Sequence, residues 1–139
     1  MHQTISYLEE DYKRANISIK VQNPDSNVVK CDVNKINQVF VNLLKNALDA
    51  TPKNGRISIS STNERKYCCV TVKDYGKGMT REEVEKAFDP FYTTKDPGQG
   101  MGIGLYICSQ IIKMHNGSIK IDSNPEMGTE VKIRIPFRN

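Results

Sequence analysis

Two pairs of alternating segments constrain this chain more than anything else in it. RISISS and YCCVTVKD are separated by TNERK, and SIKIDS and EVKIRI by NPEMGT. Apolar and polar residues alternate in each, so each places one face on a core and one toward water. Connections this short between such runs make antiparallel hairpins, because parallel neighbours need a crossover of a dozen residues or more. A doubly wound parallel sheet is therefore excluded.

The remaining apolar surface lies on helices. VNKINQVFVNLLKNALDAT carries Ile36, Phe40, Leu43, Ala47 and Ala50 at helical spacing, with Asp32 as its N-cap and Pro52 and Gly55 at its end. Thr80 and Glu83 form a T-x-x-E capping box that opens a short helix through Ala87. A third helix spans roughly 102–115, with Gly117 as a C-terminal glycine cap. Residues 1–14 read as a polar helix with a narrow stripe of Ile5, Leu8 and Tyr12. NISIKV and VVKC, on either side of NPDSN, complete six candidate strands. The expected fold is α+β: a two-layer α/β sandwich, with a mixed, mostly antiparallel sheet packed on three helices.

A chain of 139 residues holds one core of this kind. Charged residues make up 26% and the net charge is +4, spread along the chain, which suits an anionic small ligand and gives no reason to expect nucleic acid. No apolar run approaches a membrane span, and MHQTISYLEEDYKR is too charged for a signal peptide. Cys31, Cys68, Cys69 and Cys108 form no CxxC pair, so they are expected as reduced thiols in the cytoplasm. Cys68 and Cys69 should point to opposite faces of their strand.

Four groups of residues suggest chemistry. Asn42 and Asn46 lie one helical turn apart, flanked by Lys45 and Asp49. Asparagine is a mediocre helix former, so the pair is either a solvated face or a set of neutral oxygen ligands suited to Mg²⁺ beside phosphates. In VKDYGKGM, Asp74 ends an apolar strand and is followed by Gly76 and Gly78. That is either a turn or a carboxylate placed to accept an exocyclic amine, with glycines that let a flat ring approach. FDPFYTTK brings Phe88, Phe91 and Tyr92 around Pro90 and ends in Lys95. It reads as an aromatic cluster or as the hinge of a lid. Last, Gly98, Gly100, Gly102 and Gly104 lead into a helix, a bare backbone that can cradle phosphates. Its phasing fits neither a Rossmann fingerprint nor a P-loop.

NQVFVNLLKNALDA, VKDYGKGM, FDPFYTTK, GQGMGIGLYIC and NPEMGTEVKIRIP occur in this order. Together they resemble the ATP-binding catalytic domain of a sensor histidine kinase, in the superfamily shared with DNA gyrase, Hsp90 and MutL. The resemblance covers about residues 17–137. It implies a domain at 15–139, with residues 1–14 leading from a dimerisation and phosphoacceptor domain. It implies ATP and Mg²⁺ as cofactors and Asn46 as the metal-binding asparagine. Asp74 would read the adenine amine, with Gly76 and Gly78 lining the base pocket. Phe88 and Phe91 would sit buried at the root of a lid spanning roughly 92–101. Gly100, Met101, Gly102, Ile103, Gly104 and Leu105 would hold the triphosphate, and Asn42, Asp49, Lys95 and Thr129 would complete the cofactor site. Asn42, Asn46 and Lys95 would carry the catalytic roles.

Two features depart from the pattern. Met101 stands where the family usually has a small hydroxyl residue, and it cannot donate to a phosphate. The phosphoacceptor box is absent, since His2 does not match it and His115 reads as a helix cap. Relatives that hydrolyse ATP carry a glutamate near position 42, whereas Asn42 is a poor base. The resemblance therefore implies transfer of the γ-phosphate to a histidine on a separate dimerisation domain, with a response regulator further along. The isolated domain is expected to be a monomer. Other outcomes within reach of the same residues are a serine kinase of the anti-sigma type and a non-catalytic nucleotide-binding module.

Overall fold

The computed structural model describes residues 9–22, 31–93 and 103–137. Helix α1 (Glu9–Arg14) leads into strand β1 (Ser18–Gln22), and then follows the long helix α2 (Val33–Ala50). Strands β2 (Arg56–Asn63) and β3 (Tyr67–Asp74) precede the short helix α3 (Arg81–Lys86). Helix α4 (Gly104–Met114) and strands β4 (Ser118–Ser123) and β5 (Thr129–Pro136) complete the order. The described residues thus form a five-stranded sheet, β1-β2-β3-β5-β4. VVKC lies mostly outside the described residues, and Cys31 is not in a strand. Both expected hairpins are present and antiparallel. β1 pairs with β2 in parallel, because the chain between them crosses over through α2.

One layer of helices covers one face of the sheet. From α2, Ile36, Val39, Phe40, Leu43, Leu44 and Ala47 are buried. From the sheet, Ile57, Ile59, Val70, Val72, Val131, Ile133 and Ile135 meet them, and α4 adds Cys108, Ile111 and Ile112. Burying a side chain such as Leu44 or Ile133 contributes about 1.5–3 kcal/mol, so this shared face is the main source of stability. Cys68 packs against that core, while Cys69, its neighbour in β3, is buried outside the core cluster, as the pleat requires. All four cysteines are free.

The caps follow the sequence closely. Asp32 accepts from Lys35 N at 3.2 Å, and Thr80 and Glu83 satisfy each other's backbone N–H groups. One detail differs at the end of α4. Asn116, at φ 59°, takes the left-handed position, and Gly117 N donates to Ile112 O at 3.0 Å to close the turn. Gly117 is glycine for another reason, since a β-carbon there would run into the Arg134 carbonyl.

His115 does more than cap its own helix. Its Nδ1 lies 2.8 Å from Ile111 O, and its Nε2 accepts from the backbone N–H of Asp32 at 3.0 Å. An acceptor at Nε2 requires the proton on Nδ1, which then donates to Ile111. The ring is buried and ties the end of α4 to the start of α2. The two helices are thereby held at the ends remote from Gly104 and Ala50. No helix among the described residues is long and apolar enough to cross a membrane.

Candidate functional site

At the other end of these helices a cleft of about 1310 Å³ opens between α2, the start of α4 and the ends of β3 and β5. It is roomier than the ~300–1,000 Å³ of most small-molecule pockets. Asn42, Asn46 and Asp49 line it from α2, Asp74 from the end of β3 and Gly78 from the loop that follows it. Ile103, Gly104 and Leu105 line it from α4, and Thr129 from β5. Four elements remote in sequence thus bring nine of the expected residues to one cavity. Lys95, Gly100, Met101 and Gly102 lie outside the described residues, as do His2 and residues 94–101 of the expected lid.

Asp74 is the most distinctive group. It is 5% exposed, the last residue of β3. One carboxylate oxygen, Oδ1, accepts from Gly76 N at 3.0 Å and from Thr129 N at 3.3 Å. Among the described residues Oδ2 has no hydrogen-bond partner, although the side chain lines the cleft. Burial raises the pKa of this carboxyl above its ordinary value, and the two backbone donors only partly offset that. A buried acceptor without a partner is costly unless a ligand supplies the donor. The exocyclic amine of adenine is a donor of the right kind.

The glycines beside Asp74 have a different purpose from the one their spacing suggests. A β-carbon on Gly76 would strike the carbonyl oxygen of Ala50, the last residue of α2. Lys77 N donates to that same carbonyl at 3.1 Å, so the loop is laid directly on the helix end. Gly78 sits at φ +67°, and its β-carbon would strike the Asn124 carbonyl. Both gaps are filled by protein backbone. Gly76 does not line the cleft, and the expectation that it does is corrected on this point. Ser123, which carries no sequence signal, locks the same corner. Its Oγ accepts from Met79 N, donates to Gly128 O and lies 2.8 Å from Thr129 Oγ1.

Gly104 is different. A β-carbon there would have Asn42 as its nearest neighbour among the described residues, with Oδ1 at 3.6 Å, which is ordinary contact. Packing among the described residues does not demand glycine at this position. Ile103, at the N-cap of α4, makes no side-chain capping bond. The first N–H groups of an 11-residue helix therefore face the cleft, with the positive end of its dipole behind them.

The aromatic segment also needs correction. Phe88 is half-buried and packs against the core, as the root of a loop should. Phe91 is 68% exposed at φ 67° and is not buried. The turn through Asp89 and Pro90 rotates it outward, and Tyr92 lines the cleft instead. Lys53, Lys77, Met79 and Thr93 also line it without having been singled out. Their positions follow from the sheet register and the loop path, which single residues do not reveal. Among the described residues no cluster of three His, Cys, Asp or Glu could hold a metal ion.

An α/β sandwich with a half-paired buried carboxylate at a strand end, facing an asparagine ladder and an open helix start, defines a nucleotide-type cleft. Residues 31–139 match the family described as histidine kinase-, DNA gyrase B-, and HSP90-like ATPase, and the chain belongs to that family. It is 33% identical to sporulation kinase C of Bacillus subtilis over 141 aligned positions, covering 100% of this chain and 32% of that protein. The catalytic domain of histidine kinase ThkA is 37% identical with a TM-score of 0.83, over 97% of this chain and 88% of that one. The structure of ThkA in complex with the response regulator protein TrrA gives 33% identity and a TM-score of 0.81, over 97% of this chain and 38% of that one. The chain spans about a third of the length of sporulation kinase C, so it corresponds to the catalytic domain of such a kinase.

Proposed function

We propose that this domain binds ATP with Mg²⁺ in the cleft and donates the γ-phosphoryl group to a histidine on a separate dimerisation domain of the same kinase. The observation that carries the reading is the orphaned Oδ2 of buried Asp74, which accepts the adenine amine. Asp74 thereby fixes the base end of the cleft. Asn46 holds the metal through its carboxamide oxygen, a hard neutral ligand suited to Mg²⁺. The backbone N–H groups at the start of α4 donate to phosphate oxygens, and Lys95 supplies a positive charge. Bound Mg·ATP supplies the transferable phosphoryl group, with part of its charge neutralised by the metal. Asn42 lacks the basicity to activate water, so the phosphoryl group is kept for an incoming imidazole.

Residues 1–14 then lead from the dimerisation domain, and the domain works in the cytoplasm. A response regulator is the next acceptor; ThkA, a relative, is known in complex with one. Mixing this chain with a separately made acceptor hairpin of the parent kinase and γ-labelled ATP tests the proposal. Acid-labile, base-stable label on the hairpin, and none on the chain alone, is expected. Label on a serine would favour the anti-sigma type, and binding without transfer would favour a regulatory module; either result overturns the proposal.

A further inference from the structure

Three neighbouring strands place one polar row on the core face of the sheet. Asp74 pairs with Thr129 in the β3–β5 ladder, and Thr129 pairs with Ser123 in the β4–β5 ladder. Each shares its face with a core residue two positions along its strand: Asp74 with Val72, Thr129 with Val131 and Ser123 with Ile121. The hydrogen bonds of this row assign its protons. Ser123 Oγ accepts from Met79 N at 2.9 Å, and its own proton goes to the Gly128 carbonyl at 2.8 Å. It also lies 2.8 Å from Thr129 Oγ1. A hydroxyl has one proton and two lone pairs. With its proton on Gly128, Ser123 can only accept from Thr129, so the Thr129 hydroxyl donates to Ser123. On its other side, Thr129 donates its backbone N–H to Oδ1 of Asp74 at 3.3 Å. Oδ2 of Asp74 has no partner among the described residues. Yet cross-strand partners stand with β-carbons ~4.5–5.5 Å apart, which is within reach of a hydroxyl and a carboxylate.

We propose that Ser123 is a positioning residue for the base end of the cleft: it takes the hydroxyl proton of Thr129, keeps that proton off Asp74 and leaves Oδ2 open to a donor from the ligand. Asp74 and Thr129 line the cleft and Ser123 does not, so it acts through Thr129. The inference deepens the ATP reading above and rests on it only for the effect on binding. Without the serine hydroxyl, the Thr129 proton loses its acceptor, and the open carboxylate oxygen of its cross-strand partner is a strong one. The threonine hydroxyl then takes the place meant for the ligand's amine, and the amine has to displace it.

The test follows the Asp74 carboxyl by ¹³C NMR against pH, without nucleotide. Burial holds its pKa above the ordinary carboxylate value in the parent chain. In Ser123→Ala that pKa should fall by about half a unit to one unit, because a hydrogen bond to the ionised form favours it. Affinity for Mg·AMPPNP should fall about three- to tenfold, the equivalent of one hydrogen bond. The melting temperature should fall too, because Met79 N–H and the Gly128 carbonyl lose their partner. A Thr129→Val background separates positioning from structure: there Ser123→Ala should still lower the melting temperature, yet leave the Asp74 titration in place and the affinity within about twofold. Water entering the vacated space would lower the Asp74 pKa in both backgrounds alike. Ser123→Thr keeps the hydroxyl and should titrate like the parent. Should the alanine variant not fold, Ser123→Cys, whose sulfur is a weak acceptor, carries the same test. An Asp74 titration that does not fall in Ser123→Ala, or that falls equally in the Thr129→Val background, would overturn the proposal whether or not the domain binds ATP. A parent chain that binds no Mg·AMPPNP would instead refute the ATP reading, with the titration still deciding the role of Ser123.

Discussion

Asp74→Asn is nearly isosteric, and the structure says which way the new amide turns. Oδ1 is held by Gly76 N and Thr129 N at 3.0 and 3.3 Å. Both are donors, so asparagine must keep its carbonyl oxygen there and place Nδ2 where Oδ2 had been. The adenine amine then meets a donor in place of an ionised acceptor. Losing a charge-assisted hydrogen bond costs about 1.5–3 kcal/mol, and facing donors add to it, so a total of about 2–4 kcal/mol is expected. That corresponds to roughly 30- to 1,000-fold weaker ATP binding at about 1.4 kcal/mol per decade. Stability should move the other way. Burial raises the folded-state pKa of Asp74, so its favourable contribution is complete below the unfolded-state pKa and is lost as pH rises through the folded one. At neutral pH the ionised carboxylate therefore burdens the empty fold, and Asp74→Asn should melt at or above the parent temperature. That advantage should shrink as pH falls toward about 4. Calorimetric titration with ATP, paired with thermal melts at pH 7 and pH 4.5, reads both quantities. ATP binding within twofold of the parent, or a melting temperature that falls together with affinity, would refute the reasoning.

Asn46→Asp keeps an oxygen but adds charge beside phosphates and removes the amide donor; productive Mg·ATP binding should weaken with the melting temperature unchanged, checked by titration at several Mg²⁺ concentrations. Gly78→Ala combines a left-handed backbone with a collision against the Asn124 carbonyl, so it should cost about 2 kcal/mol or more and lower the denaturation midpoint. His115→Ala leaves Asp32 N–H and Ile111 O without their side-chain partner and should cost about 1–3 kcal/mol in urea unfolding, with ATP affinity little changed because the clip lies at the far end of both helices. Amide exchange at Gly104, Leu105 and Tyr106 should slow when Mg·ATP is added, since these N–H groups precede the first internal bond of α4; equal rates would deny them a phosphate role.

Much of this was legible because the relevant physics is local. Asp32, Thr80 and Glu83 signal their caps through bonds to neighbours three residues away, and the alternation of RISISS and EVKIRI sets which face is buried. The asparagine spacing on α2 placed Asn42 and Asn46 on one side of a helix, and the cleft proved to be on that side. What the sequence could not show depends on chain segments meeting from afar. The need for glycine at 76 is set by a carbonyl at position 50, and that at 78 by one at 124. Phe91 looked like an anchor because aromatics next to proline usually pack; the turn at Asp89 and Pro90 decides otherwise. Ser123 and the second bond of His115 had no local signature at all.

The proposed binding mode puts the amine of an adenine nucleotide on Asp74 and its phosphates at the start of α4. Titrating ¹⁵N-labelled protein with ATP and then with GTP, in the presence of Mg²⁺, tests it most directly. ATP should shift the amides of Gly76 and Thr129, which share Oδ1 of Asp74, together with Leu105 and the side-chain amides of Asn42 and Asn46. Phe91 should stay where it is, and GTP should produce these shifts only at much higher concentration, because its carbonyl faces the carboxylate. Equal responses to the two nucleotides, or shifts that leave Gly76 and Thr129 untouched, would contradict the account.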